Sequence, residues 1–188
     1  MQTILLGVCA YLLGSIPTGK IVGLTQHIDI QKKGSGNIGF ANAVRVLGWK
    51  LGVLVLVGDV LKGLLPTLLA VHYLEPLSRQ LFVVSFLPII GHAFPIWLKF
   101  KGGKSIATGL GVLIVLAPIA AVFVVAVYGL AIAIFKKSAI GSLTAAWFLP
   151  LFALFAYPDY TVYFLVFALF ATYTHRNNIK QIIKEYAH

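Results

Sequence analysis

The residues of this chain best suited to chemistry are Gly34, Ser35, Gly36, Asn37 and Arg45. They lie in Lys33-Gly34-Ser35-Gly36-Asn37-Ile38-Gly39, which is followed by Asn42 and Arg45. Glycine tolerates positive φ and lets another molecule approach the backbone, exposing N–H groups. Ser35 and Asn37 add short side-chain donors. Arg45 adds a planar fork suited to phosphate or carboxylate. The stretch suits an oxyanion held at a membrane surface, and it suits equally a flexible glycine loop between two membrane helices.

Later polar segments extend the pattern. Lys99-Phe100-Lys101-Gly102-Gly103-Lys104-Ser105 again sets glycines beside cations, with Gly102, Gly103 and Lys104 as its candidates. Thr174-His175-Arg176-Asn177-Asn178 supplies His175 and Asn178, and Ser142 falls near a helix end. Carboxylates are scarce here: Asp29 and Glu185 are the only acids near these segments outside the helices. Such a set fits an anion, and two phosphate-like groups better than one, not a divalent metal caged by carboxylates. A topogenic excess of cations would account for Lys136 and Lys137, but not for glycines beside cations. No metal and no cofactor is expected.

Several familiar chemistries are excluded. Gly102-Gly103-Lys104-Ser105 is similar to the end of a P-loop, but Leu98 stands where the first glycine belongs and no βα unit surrounds it. His92 and His175 lack helix-spaced zinc-ligand geometry, no His is followed five positions later by Asp, and no G-x-S-x-G elbow occurs. His175 is the best protein base, with an unperturbed pKa near neutrality; structural hydrogen bonding suits it as well. For His92, in Gly91-His92-Ala93-Phe94-Pro95, a structural bond stiffening a helix end is expected.

The elements that must position these groups are membrane helices. Of 188 residues 60% are hydrophobic and 11% charged, and mean hydropathy is +0.94, too apolar for a soluble domain of this size. The reading is an all-α integral membrane protein, one polytopic domain over residues 1–188, with about seven transmembrane or partly spanning helices. A net charge of +10 then means basic cytoplasmic loops and an anionic substrate or lipid headgroups, not nucleic acid. Cys9 is the single cysteine, so no intrachain disulfide forms.

Ile4 to Leu24 is expected to cross once, since roughly 20 residues span the hydrocarbon core. With no cation before it and no cleavage site after it, it does not read as a signal peptide. Pro17 should kink or unwind its inner end. Ile38 to Leu47 is too short and polar to span. Leu51 to Tyr73, Leu81 to Leu98, Ala139 to Tyr157 and Tyr160 to Tyr173 are further crossings. Asp59 and Lys62, three apart, should pair on one helix face. Ile106 to Phe135 is one tilted helix or a hairpin turning near Pro118. Charge favours the hairpin: it keeps Lys136, Lys137, His175, Arg176, Lys180 and Lys184 inside, leaving only Arg79 among the basic residues outside. The N-terminus is then outside and the C-terminus cytoplasmic, with all polar segments on the inner face.

In order, these blocks resemble the signatures of the bacterial acyl-phosphate:glycerol-3-phosphate acyltransferases. The first runs from Gly14-Ser15-Ile16-Pro17 through Gly34–Gly39 to Asn42, Arg45 and Gly48. The second is Gly91–Pro95 with Phe100–Lys104, and the third is His175-Arg176-Asn177-Asn178-Ile179. Asp59-Lys62-Gly63 also belongs to the likeness, which covers essentially the whole chain. It implies a multi-pass enzyme of the bacterial inner membrane, its site facing the cytoplasm. The reaction implied is acyl transfer from fatty acyl phosphate to the 1-hydroxyl of glycerol 3-phosphate, the first acylation in phospholipid synthesis, with membrane lipids as surroundings; the sequence is compatible with a monomer and does not set the oligomeric state. Under this resemblance Ser35, Gly36 and Asn37 would hold the acyl phosphate. Arg45, Lys104 and Asn178, with Ser142, would hold the glycerol 3-phosphate; His175 would orient or deprotonate the hydroxyl, or a phosphate oxygen of one substrate would serve as the base instead. Six positions depart from the family pattern: Ser105 stands where Gly is usual, Phe40-Ala41 replaces Ala-Thr, Thr174 replaces a basic residue, and the closing Gly and Glu fall on Glu185 and Ala187. The runner-up function is a transporter or channel for an organic phosphate, though no inverted repeat is visible.

Overall fold

A computed structural model describes residues 1–186; Ala187, at one of the departing positions, lies outside the described residues. Ten α-helices form and, among the described residues, no strand. They are α1 (Gln2–Gly14), α2 (Thr18–Leu24), α3 (Phe40–Leu47), α4 (Trp49–Tyr73), α5 (Arg79–Ala93), α6 (Ile106–Leu116), α7 (Pro118–Phe135), α8 (Ser138–Ala156), α9 (Thr161–Thr174) and α10 (Arg176–Tyr186). Among the described residues, five stretches are long and apolar enough to cross a membrane: Gln2–Leu24, Trp49–Tyr73, Arg79–Leu98, Pro118–Phe135 and Ser138–Ala156. The helices group into two compact units, Met1–Leu116 and Ala117 onward.

The breaks fall where proline dictates. Pro17 has no N–H to continue α1, and the helix restarts at Thr18. The apolar run from Ile106 is not one helix: Ala117 is extended, with φ −152°, and Pro118 takes the first position of α7. Residue 175 onward differs from expectation. The tail after α9 is helical, because Ile179, Ile182 and Ile183 recur at helical spacing among Lys180 and Lys184.

In the first unit, glycines let helices cross closely. A Cβ on Gly63 would lie 2.0 Å from the Thr108 carbonyl, and one on Gly111 2.0 Å from that of Val60, so α4 and α6 meet backbone to backbone. Gly14 and Gly91 do the same for α1 and α5. Asp59 and Lys62 pair on α4 at 2.9 Å, as their spacing predicts. Beneath the first polar stretch, Ile30 and Ile38 are fully buried with Val22, Ala43 and Val55, and Leu47, Leu51 and Leu98 pack around them. Burying an isoleucine contributes roughly 1.5–3 kcal/mol, so these two residues pin both ends of the loop.

Entry into α6 is set by Ser105. Its φ is +64°, a left-handed conformation that costs a non-glycine residue roughly 1–2 kcal/mol. The side chain offsets this: Oγ donates to the Ile89 carbonyl at 2.7 Å in a fully buried setting. Glycine, usual here in the family it resembles, would carry no strain and need no such bond. Ser105→Ala, which keeps the strain and loses the bond, is expected to destabilise by about 1–2 kcal/mol, and Ser105→Gly to stay within about 0.5 kcal/mol of the parent. Thermal unfolding of the purified protein in lipid checks both.

Candidate active site

The first loop is built around one side chain. Asn42, on the first turn of α3 and 2% exposed, accepts from the Ser35 amide through Oδ1 at 2.9 Å. Its Nδ2 is shared among the carbonyls of Ile30, Lys33 and Asn37 at 3.2, 3.1 and 2.8 Å. A carboxamide can accept from an N–H through its oxygen while its NH2 group offers two donors to carbonyls. The turn it closes needs Gly34 and Gly36 at φ +60° and +71°. At Gly34 a Cβ would also meet Asn42 Oδ1 at 2.2 Å. Asn37 Oδ1 accepts from the Gly39 amide at 2.8 Å, an Asx turn just ahead of α3.

The amide groups of this loop are therefore largely committed within it. Besides Ser35 and Gly39, the Gly36 N–H donates to the Lys33 carbonyl at 3.0 Å. The side chains remain: Ser35 is exposed, and so is Arg45, one helical turn beyond Asn42 on α3. At the loop's near end Asp29 bonds to Lys20 at 3.0 Å, and this bond holds the Asp29 carboxyl below the usual carboxylate range.

The second loop folds back onto the end of α5. The Gly102 N–H donates to the Ala93 carbonyl and the Gly103 N–H to the His92 carbonyl, both at 3.0 Å. These two amides thus do not face outward, unlike the expectation from composition. The glycines are needed for space: a Cβ on Gly102 would lie 2.1 Å from the His92 carbonyl, and one on Gly103 1.9 Å from His92 Nε2. His92 is 3% exposed and serves as packing for the loop. What the loop presents is Lys104, half-buried. Burial, and then the nearby Arg45 guanidinium, holds the Lys104 ammonium below the ordinary lysine range.

The two loops meet. Gln31 Nε2 donates to the Lys101 carbonyl at 3.1 Å, and Arg45 and Lys104 are close enough to repel. Like charges gathered in a partly desolvated place are unfavourable by themselves and become favourable around an anion.

Ser142, His175 and Asn178 belong to the second unit. Ser142 is buried in the early part of α8. His175 joins α9 to α10 and is 2% exposed. Its Nδ1 bonds to the Ala171 carbonyl at 2.8 Å. A carbonyl only accepts, so in the neutral ring Nδ1 carries the proton and Nε2 the lone pair. Asn178 lies in the first turn of α10, partly buried. Arg176 bonds to the Tyr173 carbonyl and stacks on its ring, 4.5 Å from the centroid. Glu185 is not a loop acid: it lies on α10 and pairs with Lys137.

Sequence reasoning left Asn42 and Gln31 out of the site. A buried-facing Asn on a short helix beside a glycine loop was the available signal for Asn42. Nothing local marks Gln31, whose partner is 70 residues away.

Comparison with known proteins shows the family. A family model described as glycerol-3-phosphate acyltransferase matches residues 4–185. A protein of that name from Trichlorobacter lovleyi is 42% identical over 178 residues, 93% of this chain and 90% of that protein. One from Bacillus subtilis is 40% identical over 187 residues, 98% and 96% of the two chains. The fold is similar to the crystal structure of PlsY (YgiH), an integral membrane glycerol 3-phosphate acyltransferase, in its glycerol 3-phosphate form. There the TM-score is 0.94 at 34% identity, covering 98% of this chain and 94% of that one; against the lysophosphatidic acid form it is 0.89. With a match that runs through all three polar segments, this all-helical, multi-pass membrane protein belongs to the glycerol-3-phosphate acyltransferase family.

Proposed function

We propose that the chain transfers a fatty acyl group from acyl phosphate to the 1-hydroxyl of glycerol 3-phosphate, giving lysophosphatidic acid and phosphate. The observation that carries this reading is the family match over residues 4–185, which encloses every cation-bearing loop. The forms in which PlsY is described, with glycerol 3-phosphate and with lysophosphatidic acid, support the acceptor and the product. Residues 1–188 act as one catalytic domain in the bacterial inner membrane, with the N-terminus outside and the polar segments and C-terminus cytoplasmic. The cation distribution supports this orientation.

Acyl phosphate is a mixed anhydride and needs no protein nucleophile. The 1-hydroxyl oxygen attacks the carbonyl carbon, the carbon–oxygen bond to phosphate breaks, and phosphate leaves. The proton given up by the hydroxyl passes to His175 Nε2 or to a phosphate oxygen. Positioning and charge stabilisation then dominate the rate. Arg45 and Lys104 bind the glycerol 3-phosphate phosphate; Ser142 and Asn178, in the second unit, are polar groups of the kind that hold a phosphate. The Ser35 hydroxyl and Asn37 Nδ2 face the acyl phosphate and the developing oxyanion. Gly34 and Gly36 shape the first loop, and Gly102 and Gly103 seat the second.

Three outcomes test the reading. Purified protein in lipid, given glycerol 3-phosphate, should form lysophosphatidic acid from palmitoyl phosphate and not from palmitoyl-CoA. Product from the thioester instead would discard the donor. No product from either would favour an organic-phosphate transporter, for which vesicle uptake is the assay. Arg45→Ala should lower kcat/KM about 10²-fold, mainly through KM for glycerol 3-phosphate, as expected for a lost charge-assisted pair. Because Lys104 binds phosphate only when protonated, that KM should rise as pH climbs through its lowered pKa, and Lys104→Arg should move the rise to higher pH. His175→Ala should lower kcat about 10²-fold or more if Nε2 is the base; near-normal turnover assigns the proton to a phosphate oxygen.

A further inference from the structure

Beneath the second loop lies a charged cluster that this chemistry does not use. Asp59 and Lys62 are 1% and 6% exposed. Lys62 Nζ also donates to the Ile16 carbonyl at 2.9 Å, next to the break at Pro17. On the other side His92 Nδ1 stands 3.6 Å from Asp59 Oδ1. That is too long for a hydrogen bond and close enough for the charge to orient the ring. The ring's Nε2 edge faces the second loop, at the spot where Gly103 has no room for a Cβ. The Gly103 N–H is at the same time bonded to the His92 carbonyl, and the next residue is Lys104. An unbroken line of contacts thus runs from the helix break at Ile16 through Lys62, Asp59 and His92 to the residue before the cation.

We infer that Asp59, Lys62 and His92 are positioning residues for the acceptor phosphate. The buried pair sets the orientation of His92, and the ring is the stop against which Gly103 seats, fixing Lys104 relative to Arg45. Stability alone would not require the pair to sit where α4 reaches both the break and the end of α5. Nor would it require a ring edge closed so tightly on a glycine. The inference rests on the reading of Lys104 as a phosphate ligand.

The test uses the full-length protein in lipid. Wild-type turnover with palmitoyl phosphate comes first, and its absence would count against the proposed function alone. The positioning role is also read without turnover, by hydrogen exchange at the Gly102 and Gly103 amides. His92→Ala removes the stop. Asp59→Leu with Lys62→Met removes both charges together and so avoids an unpaired buried ion. Both variants should raise KM for glycerol 3-phosphate, by about tenfold in the first and several-fold in the second, with kcat within about threefold and KM for the acyl phosphate unchanged. Amide exchange at Gly102 and Gly103 should quicken. Gly103→Ala should cost less in the His92→Ala background than in the wild type, because the atom it strikes is gone. Folded variants with an unchanged acceptor KM, or Gly103→Ala and His92→Ala costs that simply add, would overturn the inference.

Discussion

A carboxylate and an ammonium 2.9 Å apart inside an apolar helix bundle set the terms for the first unit. Moving each ion out of water costs several kcal/mol, and in a membrane no solvent can rescue a misaligned partner. The geometry must therefore be kept, and keeping it fixes other things. Lys62 needs a further acceptor, and the helix break at Pro17 supplies the Ile16 carbonyl. Asp59 needs its open side covered, and His92 covers it. The packing that allows this is equally strict: α4 approaches α6 at Gly63 and Gly111, where any side chain would strike backbone.

The two polar loops solve one problem by different means. Each must hold a cation-bearing segment still at the edge of an apolar bundle while leaving no amide without a partner. The first closes on a single side chain, Asn42. The second pairs its backbone with the frayed end of α5, whose last carbonyls lack helical partners. In both, the glycines create shape, and on the first loop's side Ser35 and Arg45 stay exposed. Between the loops, Arg45 and Lys104 stand close enough to repel each other.

Much of this was legible in the sequence. Helix positions followed from apolar run lengths, and the breaks from Pro17 and Pro118, because those signals are local. The Asp59–Lys62 pair followed from spacing alone. The committed amides of Gly102 and Gly103 were not legible, since glycine beside lysine reads alike whether its N–H faces a ligand or a carbonyl earlier in the chain. The helical tail was missed because its charges dominate its composition, while its apolar stripe rests on only Ile179, Ile182 and Ile183. Ser105 could be flagged only as a departure; its backbone angle gives the departure a physical meaning.

Asn42 has a consequence of another kind. Every bond it makes to residues 30–37 is to a main-chain atom, and main-chain atoms are common to all amino acids. Lys32 and Lys33 can therefore drift in identity without changing the loop's path. Asn42 cannot drift even to its nearest isostere, because aspartate would turn three attractions to carbonyl oxygens into three repulsions. The shape of the loop thus depends on one residue outside it, together with Gly34 and Gly36 within it.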